Sequence, residues 1–418
     1  MEDRNIKSPI LRKLSEELTD VNQNNIDEFW SEVEKNQAPL IEDLESDSKN
    51  KLITFLYRGN KEIQNVVMFA GGLTGFDLKK NKFRHLERTD IWYKSYNVRI
   101  GTRIEYNFFV NHPSDVEEFF QSKFTYHDSW ITDPLNNKSI SFVFSEDYGP
   151  PKGWEDTKET YSILEVPPIS DSFSEDEHIK NLKVNLRVES FSSKVFEDEK
   201  KIWVYLLPEY ETTNESYKLC VFLDAMFYVT DFHVPQIIEN LIITKKIPKT
   251  VAIFIGNSLG NREKHFYDRE KFPKFLKEEM MPWIRKNFRV SSLAQDNVLV
   301  GMSASGFPVV HFAILNPEIF SNVFVQVGDF HHYRRDLDEE EEWLPTHIAK
   351  LEKKPLKFVI HGGYYDYPIL KRSYRHLRDV LIAKGYEIEY YEYFAGHIYS
   401  VPCEHSISQG LIKLLNQR

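Results

Sequence analysis

Between Lys200 and Phe394, short and nearly unbroken apolar runs alternate with amphipathic stretches, and this alternation restricts the fold more than any other feature of the chain. The runs KKIWVYLL, KLCVFLD, TVAIFIG, NVLVG, SNVFVQVG, LKFVIHG and EIEYYEYF have the length of strands and are rich in β-branched and aromatic residues. Strands without polar alternation are buried on both faces, as happens when helices cover both sides of a mostly parallel sheet. Helices are predicted at VPQIIENLI, FPKFLKEEMMPWIRKNF, PVVHFAILNPE and from Leu370 to Lys384. An α/β domain with a mostly parallel sheet is therefore expected over residues 181–418.

Upstream the rhythm differs. LITFLYRG, NVVMFAGGLTG, TDIWYKSYNV, RIEYNFFVN and SISFVFS are separated by Gly, Asn, Asp and Pro turns, which predicts a β-sandwich over residues 51–180. The acidic segment SDSFSEDEHIKN marks the boundary near Lys180. Residues 1–50 form a preface, helical from about Ser8 to Glu45, with Leu11, Leu14 and Leu18 at helical spacing. A chain of 418 residues exceeds what one core covers, so two domains are the natural division.

The formal net charge of -11 excludes nucleic acid as an expected partner, since phosphate binding needs a surplus of Lys and Arg. An anionic small molecule would need a local cluster of cations to overcome that field. The first twenty residues lack the apolar core of a secretory signal, and no run approaches the roughly 20 apolar residues of a spanning helix, so no membrane insertion is expected. Cys220 and Cys403 suggest neither a disulfide framework nor a thiolate metal site, which fits a reducing cytoplasm. The run DLDEEEEW, Asp336 to Trp343, is expected to be a solvated surface element.

Chemistry concentrates in NVLVGMSASG followed by PVVHFAIL: a buried strand, a tight turn and a helix. Such a turn exposes a nucleophilic serine, here Ser303, and the helix N-terminus favours developing negative charge. The spacing approaches G-x-S-x-G, with Gly301 in place and Ser305 where the second glycine is expected, followed by Gly306. In an α/β-hydrolase the acid and base come later, each on a loop after a strand. Asp366 follows LKFVIHG and His397 follows EIEYYEYF, so Asp366 would orient His397 and His397 would deprotonate Ser303. Asp329 and Asp379 are alternative acids. The oxyanion would meet the backbone N–H of Ala304 and a second donor from the turn after KLCVFLD, Ala225 or Met226. His331 and His332 are adjacent and have no H-E-x-x-H partner, so no metal is expected, nor any cofactor. GNSLGN reads as a turn.

With ITFLYRG, the LTG of FAGGLTG, TDIWYKSY, DPLN and SILEVPP in the first half, and SSKVFEDEKKIWVYLLP, IIENLIITKKIPKTVAIFI, EEMMPWIRKNF and the Gly-His of AGH in the second, the chain resembles the enterochelin (enterobactin) esterase family. The resemblance implies an immunoglobulin-like N-terminal β-sandwich joined to an α/β-hydrolase domain of the esterase D type. It also implies a small-molecule ester substrate, a ferric or iron-free catecholate siderophore cleaved in the cytoplasm, with iron as part of the substrate. The family's D-G-x-x-W turn reads Asp224 to Tyr228 without its glycine, its G-G-H-D reads Ala395 to Ile398, and its R-x-x-E-L begins at Arg262. His331 and His332 replace an aromatic pair, ahead of Tyr333, Arg334 and Arg335. Arg262, Arg334 and Arg335 are candidates for holding an anionic acyl group and Tyr365 for stacking on an aromatic one. Two other readings stand beside this one: an esterase of carbohydrate-linked or other acyl esters using the same triad, and a catalytically impaired regulatory protein of the same fold.

Overall fold

The computed structural model describes residues 6–17, 23–75, 78–111, 130–144, 157–173, 176–258, 260–337, 339–398 and 401–416. Its first half contains β1 (Leu40–Asp43), β2 (Asn50–Arg58), β3 (Val66–Phe69), β4 (Arg84–His85), β5 (Ile91–Arg99), β6 (Arg103–Val110), β7 (Trp130–Ile131), β8 (Ser139–Phe144) and β9 (Thr157–Glu165). These strands pair antiparallel in two sheets, ordered β1-β2-β5-β4 and β3-β6-β9-β8, with β7 added to β6. Ile53 and Phe55 of the first sheet meet Tyr106 and Phe108 of the second in a shared core. Leu56 points the other way, where helices Pro9–Glu17 and Gln23–Asn36 bring Leu11, Leu14, Phe29 and Trp30 against it. The run LITFLY lacks polar alternation because β2 is covered on both faces.

The expected helix to Glu45 is corrected here. The second helix stops at Asn36, Gln37 adopts φ 66°, and Pro39 cannot continue a helix. The chain then enters β1, whose Leu40 pairs with Thr54, so the end of the preface completes a sheet. Leu18 lies outside the described residues.

The second half contains β10 (Asn185–Ser193), β11 (Asp198–Leu206), β12 (Lys218–Leu223), β13 (Thr250–Ile255), β14 (Asn297–Met302), β15 (Asn322–Gln326), β16 (Lys357–Gly363) and β17 (Glu387–Tyr393). They form one sheet in the order β10-β11-β13-β12-β14-β15-β16-β17, parallel from β13 to β17 and antiparallel at β10 and β11. Val221, Ile253, Leu299 and Val323 face helices Gly306–Leu315 and Pro368–Ala383, while Cys220, Phe222, Phe254 and Val300 face helices Val234–Ile243 and Cys403–Leu415. Two elements carried no clear signal in sequence: β10, a polar and mostly exposed edge strand, and the last helix, interrupted by Ser and Gly. Because β12, β14, β15, β16 and β17 are parallel, the loops leaving them open on one edge of the sheet, where ligands of α/β sheets bind.

Candidate active site

Ser303 leaves β14 with φ 49°, a left-handed conformation rare for residues with a Cβ. Its neighbours permit the turn by being small. A Cβ on Gly301 would lie 2.5 Å from the Ser305 carbonyl oxygen, and one on Gly306 would lie 2.9 Å from Val325 and 3.1 Å from the Gly328 Cα. Ser305 therefore does not need to be glycine; the close approach falls one residue later. The Ser305 hydroxyl is buried, accepts from the Met302 N–H at 2.8 Å and donates to the Met302 carbonyl at 2.8 Å. Ser305→Ala leaves that N–H without its acceptor and is expected to lower stability by about 1–3 kcal/mol. Urea unfolding checks this, and an unchanged midpoint would show the brace to be dispensable. On the other side of the turn, the Ser303 carbonyl accepts from the Asp329 N–H at 2.9 Å, and Val327 is held at φ 44°.

Ser303 Oγ lies 2.9 Å from His397 Nε2, and His397 Nδ1 lies 2.9 Å from Asp366 Oδ1. A carboxylate only accepts, so Nδ1 carries the proton, Nε2 is the acceptor, and the serine hydroxyl donates to it. Asp366 is fully buried and Oδ1 also accepts from the Tyr367 N–H at 2.7 Å. Its Oδ2 is buried with no hydrogen-bond partner among the described residues. Burial pushes the Asp366 carboxyl above its ordinary pKa, opposed by the His397 imidazole and the Tyr367 N–H. The alternative acids face elsewhere. Asp329 accepts from Tyr267 Oη at 2.7 Å and bonds His331, contacts that outweigh burial and hold its pKa low. Asp379 is exposed beside Arg378.

Ala304 and Ala225 are buried and Met226 half-buried, and the turn that carries Ala225 and Met226 begins at Asp224 with φ 62°. Arg262 is paired within the chain. Its Nε and Nη2 reach the two oxygens of fully buried Asp224 at 2.6 and 2.7 Å, joined by Asn257 Nδ2 at 2.7 Å. Arg334 likewise pairs with Asp336 at 2.6 Å, and Arg335 donates to Tyr333 Oη at 2.9 Å. The Tyr365 hydroxyl accepts from the Arg99 N–H at 3.0 Å and its ring packs against the core of the first half. Each of these four side chains is thus engaged by a partner within the chain.

The acidic run is not simply solvated. Glu342 is buried and accepts from Arg372 Nε at 2.6 Å, with His376 Nδ1 at 2.6 Å, and Glu339 pairs with Arg269. His331 and His332 diverge, one to Asp329 and the other stacked on Tyr267 at 4.1 Å. Among the described residues no group of three or more His, Cys, Asp or Glu is arranged to hold a metal ion. Sequence reasoning missed a buried chain beneath the site, from Tyr228 to Gln326, Ser406 and His361, at 3.4, 2.7 and 2.8 Å. It ties the turn holding Ala225 and Met226 to β15, β16 and the last helix, and burial pushes His361 down to about 3, keeping it neutral. No spacing in the sequence signals a chain assembled from four separate segments.

Ser303 sits at the end of a central strand of this sheet, within a region whose family match places the chain among the esterases. Residues 52–145 match the family described as enterochelin esterase, N-terminal, and residues 193–333 match the esterase family. The iron(III) enterobactin esterase of Escherichia coli O6:H1 is 20% identical over 345 residues, covering 77% of this chain and 81% of that protein. Two solved structures have the same fold over nearly the whole chain. Ferric enterobactin esterase from Salmonella typhimurium has a TM-score of 0.69 at 19% identity, covering 93% of this chain and 98% of that one. Enterobactin esterase from Shigella flexneri, solved in the presence of enterobactin, has a TM-score of 0.68 at 19% identity, covering 92% and 98%. The chain belongs to the enterochelin esterase family.

Proposed function

We propose that the chain hydrolyses the ester bonds of a catecholate siderophore of the enterobactin kind through an acyl intermediate on Ser303. The observation that carries this reading is the series Ser303 Oγ, His397 Nε2, His397 Nδ1 and Asp366 Oδ1, linked at 2.9 and 2.9 Å. In this mechanism His397 takes the Ser303 proton as Oγ attacks the ester carbonyl, and returns it to the leaving alcohol. The backbone N–H groups of Ala304 and of Ala225 or Met226 would meet the oxyanion. Water, deprotonated by His397, then releases the acid. Iron enters only as cargo of the substrate.

The linked hydroxyl, imidazole and carboxylate favour this over a catalytically impaired protein. The enterobactin named for the relatives favours a siderophore over a carbohydrate-linked ester. We further read the two antiparallel sheets, which begin with β1 at Leu40 and otherwise lie in residues 50–180, as an immunoglobulin-like sandwich, and residues 181–418 as the hydrolase domain. The cytoplasm is the proposed compartment, in keeping with two free cysteines, and no helix among the described residues is long and apolar enough to cross a membrane. Turnover of enterobactin is expected to exceed that of acetyl- and feruloyl-sugar esters. Hydrolysis of the sugar esters without hydrolysis of enterobactin would overturn the substrate assignment.

A further inference from the structure

The loops carrying Asp366 and His397 are held from outside the hydrolase sheet. The base loop lies along the start of β6: the Arg103 N–H donates to the Phe394 carbonyl at 2.9 Å, and Arg103 bridges Ala395 in parallel register. Two residues further along β6, Glu105 Oε1 accepts from the His397 backbone N–H at 3.3 Å. The acid loop is gripped by the turn after β3. Gly72 N–H donates to the Tyr365 carbonyl at 2.8 Å, and a Cβ on Gly72 would lie 2.1 Å from the Asp366 carbonyl oxygen. Next to it, the Tyr367 ring stacks on Phe69 with centroids 6.1 Å apart. The two loops also touch each other, since a Cβ on Gly363 would lie 1.9 Å from the Gly396 carbonyl oxygen.

We propose that the N-terminal sheets position the acid and base for catalysis, and that Glu105 is a positioning residue for His397. The proposal rests on the reading of Ser303, His397 and Asp366 as a triad. Both loops are irregular backbone beyond strand ends, and irregular backbone keeps its shape only where its polar groups find partners. Here the Tyr364 and Tyr365 N–H groups bond to the Tyr393 and Ala395 carbonyls, while β6 and the turn after β3 supply partners for the Phe394 and Tyr365 carbonyls and the His397 N–H. A displacement of His397 by about 1 Å is enough to cost on the order of 100-fold in rate. Removing the acceptor for its N–H should therefore appear in kcat, with KM little changed.

The test uses the full chain and p-nitrophenyl butyrate. Glu105→Ala is expected to lower kcat about 10-fold or more with KM within about twofold, and to slow fluorophosphonate labelling of Ser303 by the same factor. Glu105→Gln keeps an oxygen acceptor at the same reach and should stay within about threefold of the unmodified kcat. Should the alanine variant not fold, Glu105→Asp, one methylene too short to reach the N–H, is expected to lose kcat as well. Wild-type kcat in the folded alanine or aspartate variant would overturn the proposal, as would a glutamine variant as slow as alanine. If the unmodified chain does not label at Ser303, the triad reading itself has failed; if it labels and the variants match it, only the positioning role has.

Discussion

Ser303→Ala is expected to reduce turnover of an activated ester by about four orders of magnitude or more while leaving far-UV circular dichroism unchanged. The size follows from the role: without Oγ there is no acyl intermediate, and what remains is binding and electrostatic stabilisation by backbone donors. His397→Ala should fall about as far, because it removes the imidazole 2.9 Å from the serine hydroxyl, and a neutral hydroxyl without a base is a weak nucleophile. Asp366→Asn should keep more activity. The His397 backbone N–H is independently tied to Glu105, so the loop keeps its place when the carboxylate is replaced, although the Nδ1–H loses its charged acceptor. Steady-state kinetics on p-nitrophenyl butyrate check all three, and an alanine variant of Ser303 with wild-type kcat would remove it from the mechanism.

Arg262→Ala is expected to be among the most destabilising single substitutions near the site. It strips a bidentate guanidinium from Asp224, which is fully buried and held at a positive φ at the end of β12. Leaving a buried carboxylate without its counter-charge costs about 3–5 kcal/mol. Asn257 remains as a neutral donor and cannot replace the charge. The turn that follows Asp224 carries Ala225 and Met226, so the surviving folded fraction should also lose kcat. Arg262→Lys keeps the charge without the fork and should fall between the two. Urea unfolding at neutral pH checks the order, and an alanine variant with an unshifted midpoint would contradict it.

The contrast between Ser303 and Arg262 shows what the sequence made legible. The strand, turn and helix around Ser303 are contiguous, and the order Ser, Asp, His is imposed by strands that run parallel in one sheet, so the residues the structure brings together could be named from the chain alone. Arg262 was a candidate for holding an anionic acyl group, and its pairing was hidden because its partner lies 38 residues earlier, just beyond a strand whose end gives no local sign of a buried carboxylate. The acidic run misled for the same reason: Glu342 is paired with Arg372, 30 residues away in helix Pro368–Ala383. Glu105 was silent in sequence, since 292 residues separate it from His397 and only docking of the two halves joins them. The preface was misread at a local signal, where Pro39 ends helical structure before β1 begins. Contiguous pattern was readable; pairing across the fold was not.

The most direct measurement is labelling of the folded chain with a fluorophosphonate probe, followed by intact mass and peptide mapping. A single adduct on Ser303, absent from Ser303→Ala and slowed in His397→Ala, is the predicted result. A folded chain that hydrolyses enterobactin yet carries no adduct on Ser303 would contradict the assignment of the nucleophile.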